Sequence, residues 1–221
     1  MIGRGNALTE TKGSEKIEPR RPPGFELIAG NVCLDFVNTL DDRHTKPKEL
    51  LEDYADLARF AEDTGLLESR QVDRLFARSE ADPERAREVL MWGRALREAI
   101  HDVFWAIMNK LPVPPLALAR LNADAHSAAE HMQLVPVKGG FEWRFDDVIP
   151  FERMLWPIAR AAADLLTSDQ LPYVRACFSK TCEWFFLDTS KNHHRRWCDM
   201  TRCGNRAKVQ RFYQRQKKAS T

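Results

Sequence analysis

No stretch of this 221-residue chain is apolar for long enough to cross a membrane. Residues Met1–Pro23 are charged and contain no apolar segment, so no secretory leader is readable there. The expectation is a reducing, cytoplasmic setting in which disulfides do not form. Neither a Walker nor a dinucleotide-binding glycine pattern occurs. His44, Asp41, Asp42 and the pair His193–His194 are the loose catalytic candidates, and none stands at a nucleophile–base spacing. These absences point away from membrane proteins and enzymes. There is also no internal repeat, and no heptad run marks a dimer seam, which leaves a homodimer open.

Charge is present in quantity but hidden in the total. The formal net charge is only +2. From Tyr173 to Thr221 there are 12 Lys/Arg and 3 Asp/Glu, a net of +9, which leaves −7 on the remaining 172 residues. A basic end on an acidic body points to a polyanion partner. The chain is long enough to bury a substantial core as one large or two small domains. Ser168–Pro172, polar and proline-bearing, lies where the charge changes sign and is the expected boundary.

Cysteine is scarce and concentrated. Four of the five cysteines form two matched clips, Cys177-x4-Cys182 and Cys198-x4-Cys203, separated by fifteen residues. Two short clips with four thiolates satisfy a tetrahedral zinc ion. The x4 gap lies at the edge of the usual range, while the long spacer fits. A closed all-cysteine shell has no open coordination position, so it predicts one structural Zn2+ and a recognition module. His193 and His194 fall within the spacer and are alternative ligands. Cys33 lies in an apolar, helix-like run and reads as a small core residue.

Three stretches carry a family resemblance. Phe186-Leu-Asp-Thr-Ser190, Arg195-Arg-Trp-Cys198-Asp-Met and Cys203-Gly-Asn-Arg206 resemble the CGNR zinc finger. Upstream, Asn31-Val-Cys-Leu-Asp-Phe-Val-Asn-Thr39 and Leu155-Trp-Pro-Ile-Ala-Arg-Ala-Ala-Ala-Asp-Leu-Leu166 resemble the helical ABATE domain that accompanies that finger. The resemblance covers nearly everything after residue 24. It implies a regulator of transcription, often described as stress-induced.

The local pattern predicts a mostly α, α+β chain. Its parts are a disordered tail over 1–23 (with Arg20 and Arg21), a helical domain over 24–172, and a treble-clef-like four-cysteine finger over 173–221. Phe25–Ile28 reads as a short strand. Asn31 caps a helix through Leu40, and Glu49–Thr64 and Ser69–Arg78 are amphipathic helices. Asp82-Pro83 opens a long helix to about Lys110, and Pro114-Pro115 opens another to about His131. Met132–Asp146 alternates around Gly139-Gly140 and reads as a hairpin. Asp147–Thr167 is helical, with a bend expected at Pro157. Trp92, Trp105 and Trp156 are candidates to line a pocket for a small-molecule effector.

In the finger, Val174–Phe178 and Glu183–Leu187 are expected to pair as a hairpin, with Trp184 and Phe186 on one face. About fifty residues are too few to fold by apolar burial alone. Metal binding of roughly 10–16 kcal/mol would become folding energy there. On a helix over Cys203–Lys218, Val209, Phe212, Tyr213 and Gln216 share one arc, expected to pack on the hairpin. Lys208, Arg211, Arg215 and Lys218 share another, and with Arg195 and Arg196 they are the candidate nucleic-acid contacts. Arg206 either binds phosphate or braces the finger through backbone carbonyls. Gly204 is expected to permit close backbone approach to the metal cysteines. The leading expectation is binding of double-stranded DNA. Alternatives are RNA stacking on Trp184, Trp197 or Tyr213, and a protein-interaction finger that grips an acidic partner.

Overall fold

Asn31 opens the first helix, α1 (Val32–Val37), by accepting the Cys33 amide at 3.0 Å. The computed structural model describes residues 24–179 and 181–219, without the side chains of Arg211, Gln214, Arg215 and Lys217–Ala219. The expected tail over 1–23 lies outside the described residues, as do the side chains of the candidate contacts Arg211, Arg215 and Lys218. Helix α1 stops earlier than its sequence suggests. The Thr39 hydroxyl takes the Phe36 carbonyl at 2.7 Å, and Leu40–Asp41 (β1) instead pairs antiparallel with Lys48–Glu49 (β2). Phe25–Ile28 forms no strand. Its Phe25 ring packs edge-on against Phe60, with centroids 5.2 Å apart.

Helix α2 (Tyr54–Asp63) starts after Glu49 because Asp53 and Asp56 close a reciprocal capping box. Helix α3 (Ser69–Ala81) leads into α4 (Pro83–Met108), where Asp82 caps and Pro83 occupies the first helical position. At 26 residues, α4 is about 39 Å long and is the spine of the body. Helix α5 (Pro115–Glu130) returns along it. Strands β3 (Met132–Val137) and β4 (Gly140–Phe145) form the expected hairpin, with Leu134 opposite Trp143. Alternation did not bury it, for Leu134, Phe141 and Trp143 are exposed. Helix α6 (Leu155–Leu166) begins only two residues before Pro157, where no amide is yet required by the helix, so the expected bend does not arise.

The core gathers around α1, five of whose six residues are buried against α4, α6 and the finger. Leu57, Phe60, Leu96, Ile100, Phe104, Met154 and Ile158 fill the space around it. Gly93 lies mid-way along α4. A Cβ there would stand 3.2 Å from Leu155 and 3.3 Å from Leu57, so this glycine lets α2 and α6 approach.

Two buried charges are held differently. The Arg97 guanidinium grips Glu49 with two bonds of 2.6 and 2.7 Å and reaches Thr39 Oγ1 at 3.1 Å, pinning β2 to α4. Burial alone would raise the Glu49 carboxyl, but Arg97 holds it below the usual carboxylate range. Asp35 has no such cation. It accepts the Ala29 amide at 2.9 Å, and burial pushes its carboxyl up to about 6.

Cutting Arg97 back to alanine leaves Glu49 with the Leu51 amide at 2.9 Å and Arg94 at 3.5 Å. A loss of about 1.5–3 kcal/mol is expected in urea unfolding. The Asp35 carboxyl is raised above its ordinary 3.8, so the folded chain holds that proton more tightly than the unfolded one. The stability it contributes is full below that value and lost as pH rises through about 6. Asp35→Asn should therefore flatten the wild-type stability profile over this window by on the order of 3 kcal/mol. Parallel urea titrations of the two proteins across it check the difference.

Candidate metal centre

Strands β5 (Val174–Ala176) and β6 (Phe185–Leu187) pair antiparallel, with Arg175 opposite Phe186. The strand period of two then sorts β6 and its neighbour. Phe185 and Leu187 enter the core of the helical body, whereas Trp184 and Phe186 pack on the cysteines. The expected shared face of Trp184 and Phe186 is present. The other face is docked: Asn38 exchanges both side-chain amide bonds with the Phe185 backbone at 2.9 and 2.8 Å, and the Leu187 amide donates to the Ala29 carbonyl at 2.7 Å.

Each clip is a fold of backbone. In the first, the Cys177 amide donates to the Trp184 carbonyl at 2.8 Å and the Cys182 amide to the Ser179 carbonyl at 3.0 Å. In the second, Cys198 precedes a π-helical turn (Met200–Gly204) capped by Asp199, which accepts the Arg202 amide at 2.8 Å. That turn runs into the last helix, α7 (Asn205–Ala219). The result is a hairpin, a knuckle and a helix.

The four sulfurs lie within 4.8 Å of one another, and all four residues are buried. Cys182–Cys198 and Cys198–Cys203 are 3.5 and 3.7 Å apart. Tetrahedral zinc, with a Zn–S bond of about 2.3 Å, requires S···S near 3.8 Å, so the donor set fits. Without a metal, the four thiols compete for charge. Hydrogen bonds from Cys182 and Cys198 hold the Cys177 thiol far below its ordinary value. Burial first, and then the charge at Cys177, raises Cys203. A divalent cation removes that conflict by accepting four thiolates. This is a site for one structural zinc ion. His193 is not part of it. Its Nδ1 lies 2.8 Å from the Asp188 carbonyl, and its ring stacks on Tyr173.

The candidate basic residues have different surroundings. Arg195 turns inward: its Nε donates to the Trp197 carbonyl at 2.9 Å, another nitrogen donates to the Cys198 carbonyl, and its guanidinium covers Phe186. Arg196 is exposed and lies over Phe178 at 4.2 Å. Arg206 bonds the Thr181 hydroxyl at 3.0 Å and so links the two clips through a side chain rather than through carbonyls. Lys208 is exposed. Asn205 donates to the Thr201 carbonyl at 2.9 Å and closes the π-turn. A Cβ on Gly204 would meet the Met200 sulfur at 2.8 Å, so a methionine, not the cysteines, makes the close approach.

Sequence reasoning missed Asp188 and Asn38. Buried Asp188 accepts the Ser190 amide at 3.0 Å, the Ser190 hydroxyl at 2.6 Å and the Arg195 amide at 2.9 Å, shaping the loop before the second clip. Its place in Asp-Thr-Ser was the available signal, whereas the partner of Asn38 is 147 residues away. The three indoles of the expected pocket serve separate clusters. Trp92 bonds Asp124, Trp156 stacks on His131, and Trp105 borders a cavity, of about 390 Å3, beside Leu171 and Arg175. The catalytic candidate Asp41 accepts the Trp184 indole N–H at 2.8 Å.

The arrangement defines a zinc-finger protein whose helical body and finger share one strand. Residues 30–169 match the ABATE family model, described as "Putative stress-induced transcription regulator", and residues 173–216 match the CGNR zinc finger model. The first match spans well over half of the chain, and the protein belongs to the ABATE family, with a CGNR zinc finger at its C-terminal end. No curated protein sequence matches the chain. No helix among the described residues is long and apolar enough to cross a membrane.

Metal analysis is expected to return one zinc per chain, and Cys198→Ser to lose it. Arg195→Ala removes two donors that brace carbonyls of the second clip. A loss of roughly 2–3 kcal/mol is expected, read as faster zinc transfer to a chelator.

Proposed function

We propose that the protein is a DNA-binding regulator whose zinc finger attaches to duplex phosphates through α7, with the helical body acting as a receiver of a signal or as an assembly surface. The family description supports regulation, and the finger supports contact with nucleic acid at a coarse level. The observation that carries the finer reading is the position of α7. Its principal packing is on the π-turn beside the zinc ligands, and Val209, Phe212 and Tyr213 stay exposed. The expected packing of that apolar arc on the hairpin does not occur, because β6 spends its other face on the helical body. A helix rich in Lys and Arg whose described apolar residues Val209, Phe212 and Tyr213 are exposed is available to a partner.

Charge compensation supports the same reading. In the body most arginines, among them Arg43, Arg59, Arg85, Arg94, Arg97, Arg120 and Arg160, pair with carboxylates, while Arg70, Arg74, Arg78, Arg87 and Arg153 form no ion pair among the described residues. In the finger, Arg202 pairs with Glu26, while Arg175, Arg195, Arg196 and Arg206 form no ion pair among the described residues. A polyanion supplies the missing counter-charge. A cavity of about 370 Å3 lies where Trp184 and Arg202 of the finger meet Asp41, Lys48 and Glu49 of the body. A small-molecule effector there would touch both parts. The reading assigns no catalytic role.

Fluorescence anisotropy with labelled duplex DNA tests the proposal. If about four phosphates are contacted, the log–log slope of affinity against salt should be roughly −3.6, and Lys208→Ala should reduce its magnitude by about 0.9. Binding should vanish with chelator. A flat salt response, or binding indifferent to zinc, overturns the proposal. Capture of the acidic body of a second chain would favour the protein-interaction alternative.

A further inference from the structure

A groove of about 530 Å3 runs over the finger between β5 and the loop that leads into Cys198. Its lining includes Arg175, Phe178, His194 and Arg196, and no carboxylate. Such a surface repels cations and acid-poor walls do not neutralise it. Arg175 spends one nitrogen on the carbonyls of Pro172 and Val174, at 2.5 and 3.2 Å, which fixes the direction of its guanidinium. Arg196 is held by its own backbone, whose carbonyl accepts the Phe178 amide at 2.9 Å.

Phe178 is the distinctive member. It is 65% exposed although it adjoins a buried metal ligand. One side of its ring carries the Arg196 guanidinium at 4.2 Å, and the Trp197 ring stands edge-on to it with centroids 5.9 Å apart. A lone exposed phenylalanine needs no explanation. A phenylalanine backed by an arginine, and set among uncompensated cations, is a stacking platform with phosphate contacts on either side. Of the aromatic residues that sequence nominated for stacking, Trp184 is 5% exposed and tied to Asp41, Trp197 is half-buried against Phe178, and Tyr213 is exposed on α7, outside this groove.

We infer that this groove binds single-stranded nucleic acid, with an unpaired base stacked on Phe178 and the flanking phosphates on Arg175 and Arg196. The inference rests on the nucleic-acid reading above but concerns a different surface and a different substrate from α7. Stacking on one aromatic ring is sequence-tolerant, so the site takes a single strand by its backbone and by any base face.

The test uses intact, zinc-loaded protein and two labelled probes, an oligodeoxythymidine of roughly 12 nucleotides and a duplex of the same length. Phe178→Ala and Phe178→Leu should each weaken single-strand binding about tenfold while duplex affinity changes little. Phe178→Leu keeps the apolar bulk without the ring, and matched zinc content and circular dichroism exclude a folding defect. The double change Arg175→Ala/Arg196→Ala should reduce the single-strand salt slope by roughly 1.4. If both Phe178 variants bind the oligonucleotide as wild type does, or weaken duplex binding equally, the groove assignment is wrong while the α7 reading stands. If Lys208→Ala and chelation leave duplex binding untouched but Phe178 still governs the single strand, only the α7 reading falls. Absence of binding to either probe removes both.

Discussion

Strand β6 is the constraint on which the rest of the molecule depends. It has only three residues, yet both of its faces are buried, in two different cores. Phe185 and Leu187 are part of the helical body, and Phe186, with Trp184 beside it, is part of the zinc knuckle. Asn38 supplies the hydrogen bonds that a neighbouring strand would otherwise give, so the exposed edge of a short hairpin is satisfied by a helix C-cap. Zinc and the helical core are thereby coupled. The metal fixes the spacing of the clips, the clips fix β5 and β6, and β6 fixes α1.

That coupling explains where the finger's side chains are free and where they are not. The hairpin has no face left for α7, so the last helix leaves the π-turn with its apolar arc uncovered. Arg195 and Arg206 lie at the seams of the knuckle and are taken up in holding carbonyls and a hydroxyl. Arg196 and Phe178 lie on the outside of the same loops. A cation one residue from another can therefore be structural while its neighbour is available, because successive side chains of the non-helical segment before Cys198 have different surroundings, Arg195 half-buried and Arg196 exposed. In the body, buried charge is met in different ways, and buried Arg153 has no hydrogen-bond partner for its Nε or Nη1 among the described residues. Arg97 has Glu49, whereas Asp35 relies on backbone amides and has a raised carboxyl pKa.

Several caps and the metal ligands were legible because each depends on residues close in sequence. Asn31 and Asp82 were readable as N-caps, Gly139-Gly140 as a hairpin turn, and the paired cysteines as a donor set. Boundaries were misread where a tertiary partner intervened. Glu49 reads as helix by its apolar neighbours, but Arg97 holds it in a strand. Pro157 reads as a break within a helix, yet the helix starts beside it. Val209, Phe212 and Tyr213 read as a packed face, and periodicity carries no information about whether a partner surface is vacant.

The sequence by itself determined the family, the zinc donor set, the helical character of the body and the reversal of charge along the chain. Each of these follows from residue type and short spacing. Only the tertiary structure decided that finger and body share a strand, that Arg195 is a brace while Phe178 is exposed, and that Val209, Phe212 and Tyr213 of α7 are exposed. Those outcomes depend on contacts between residues as far apart as Asn38 and Phe185, whose pairing no local pattern encodes. Covering one face of β6 left Val209, Phe212 and Tyr213 of the last helix exposed.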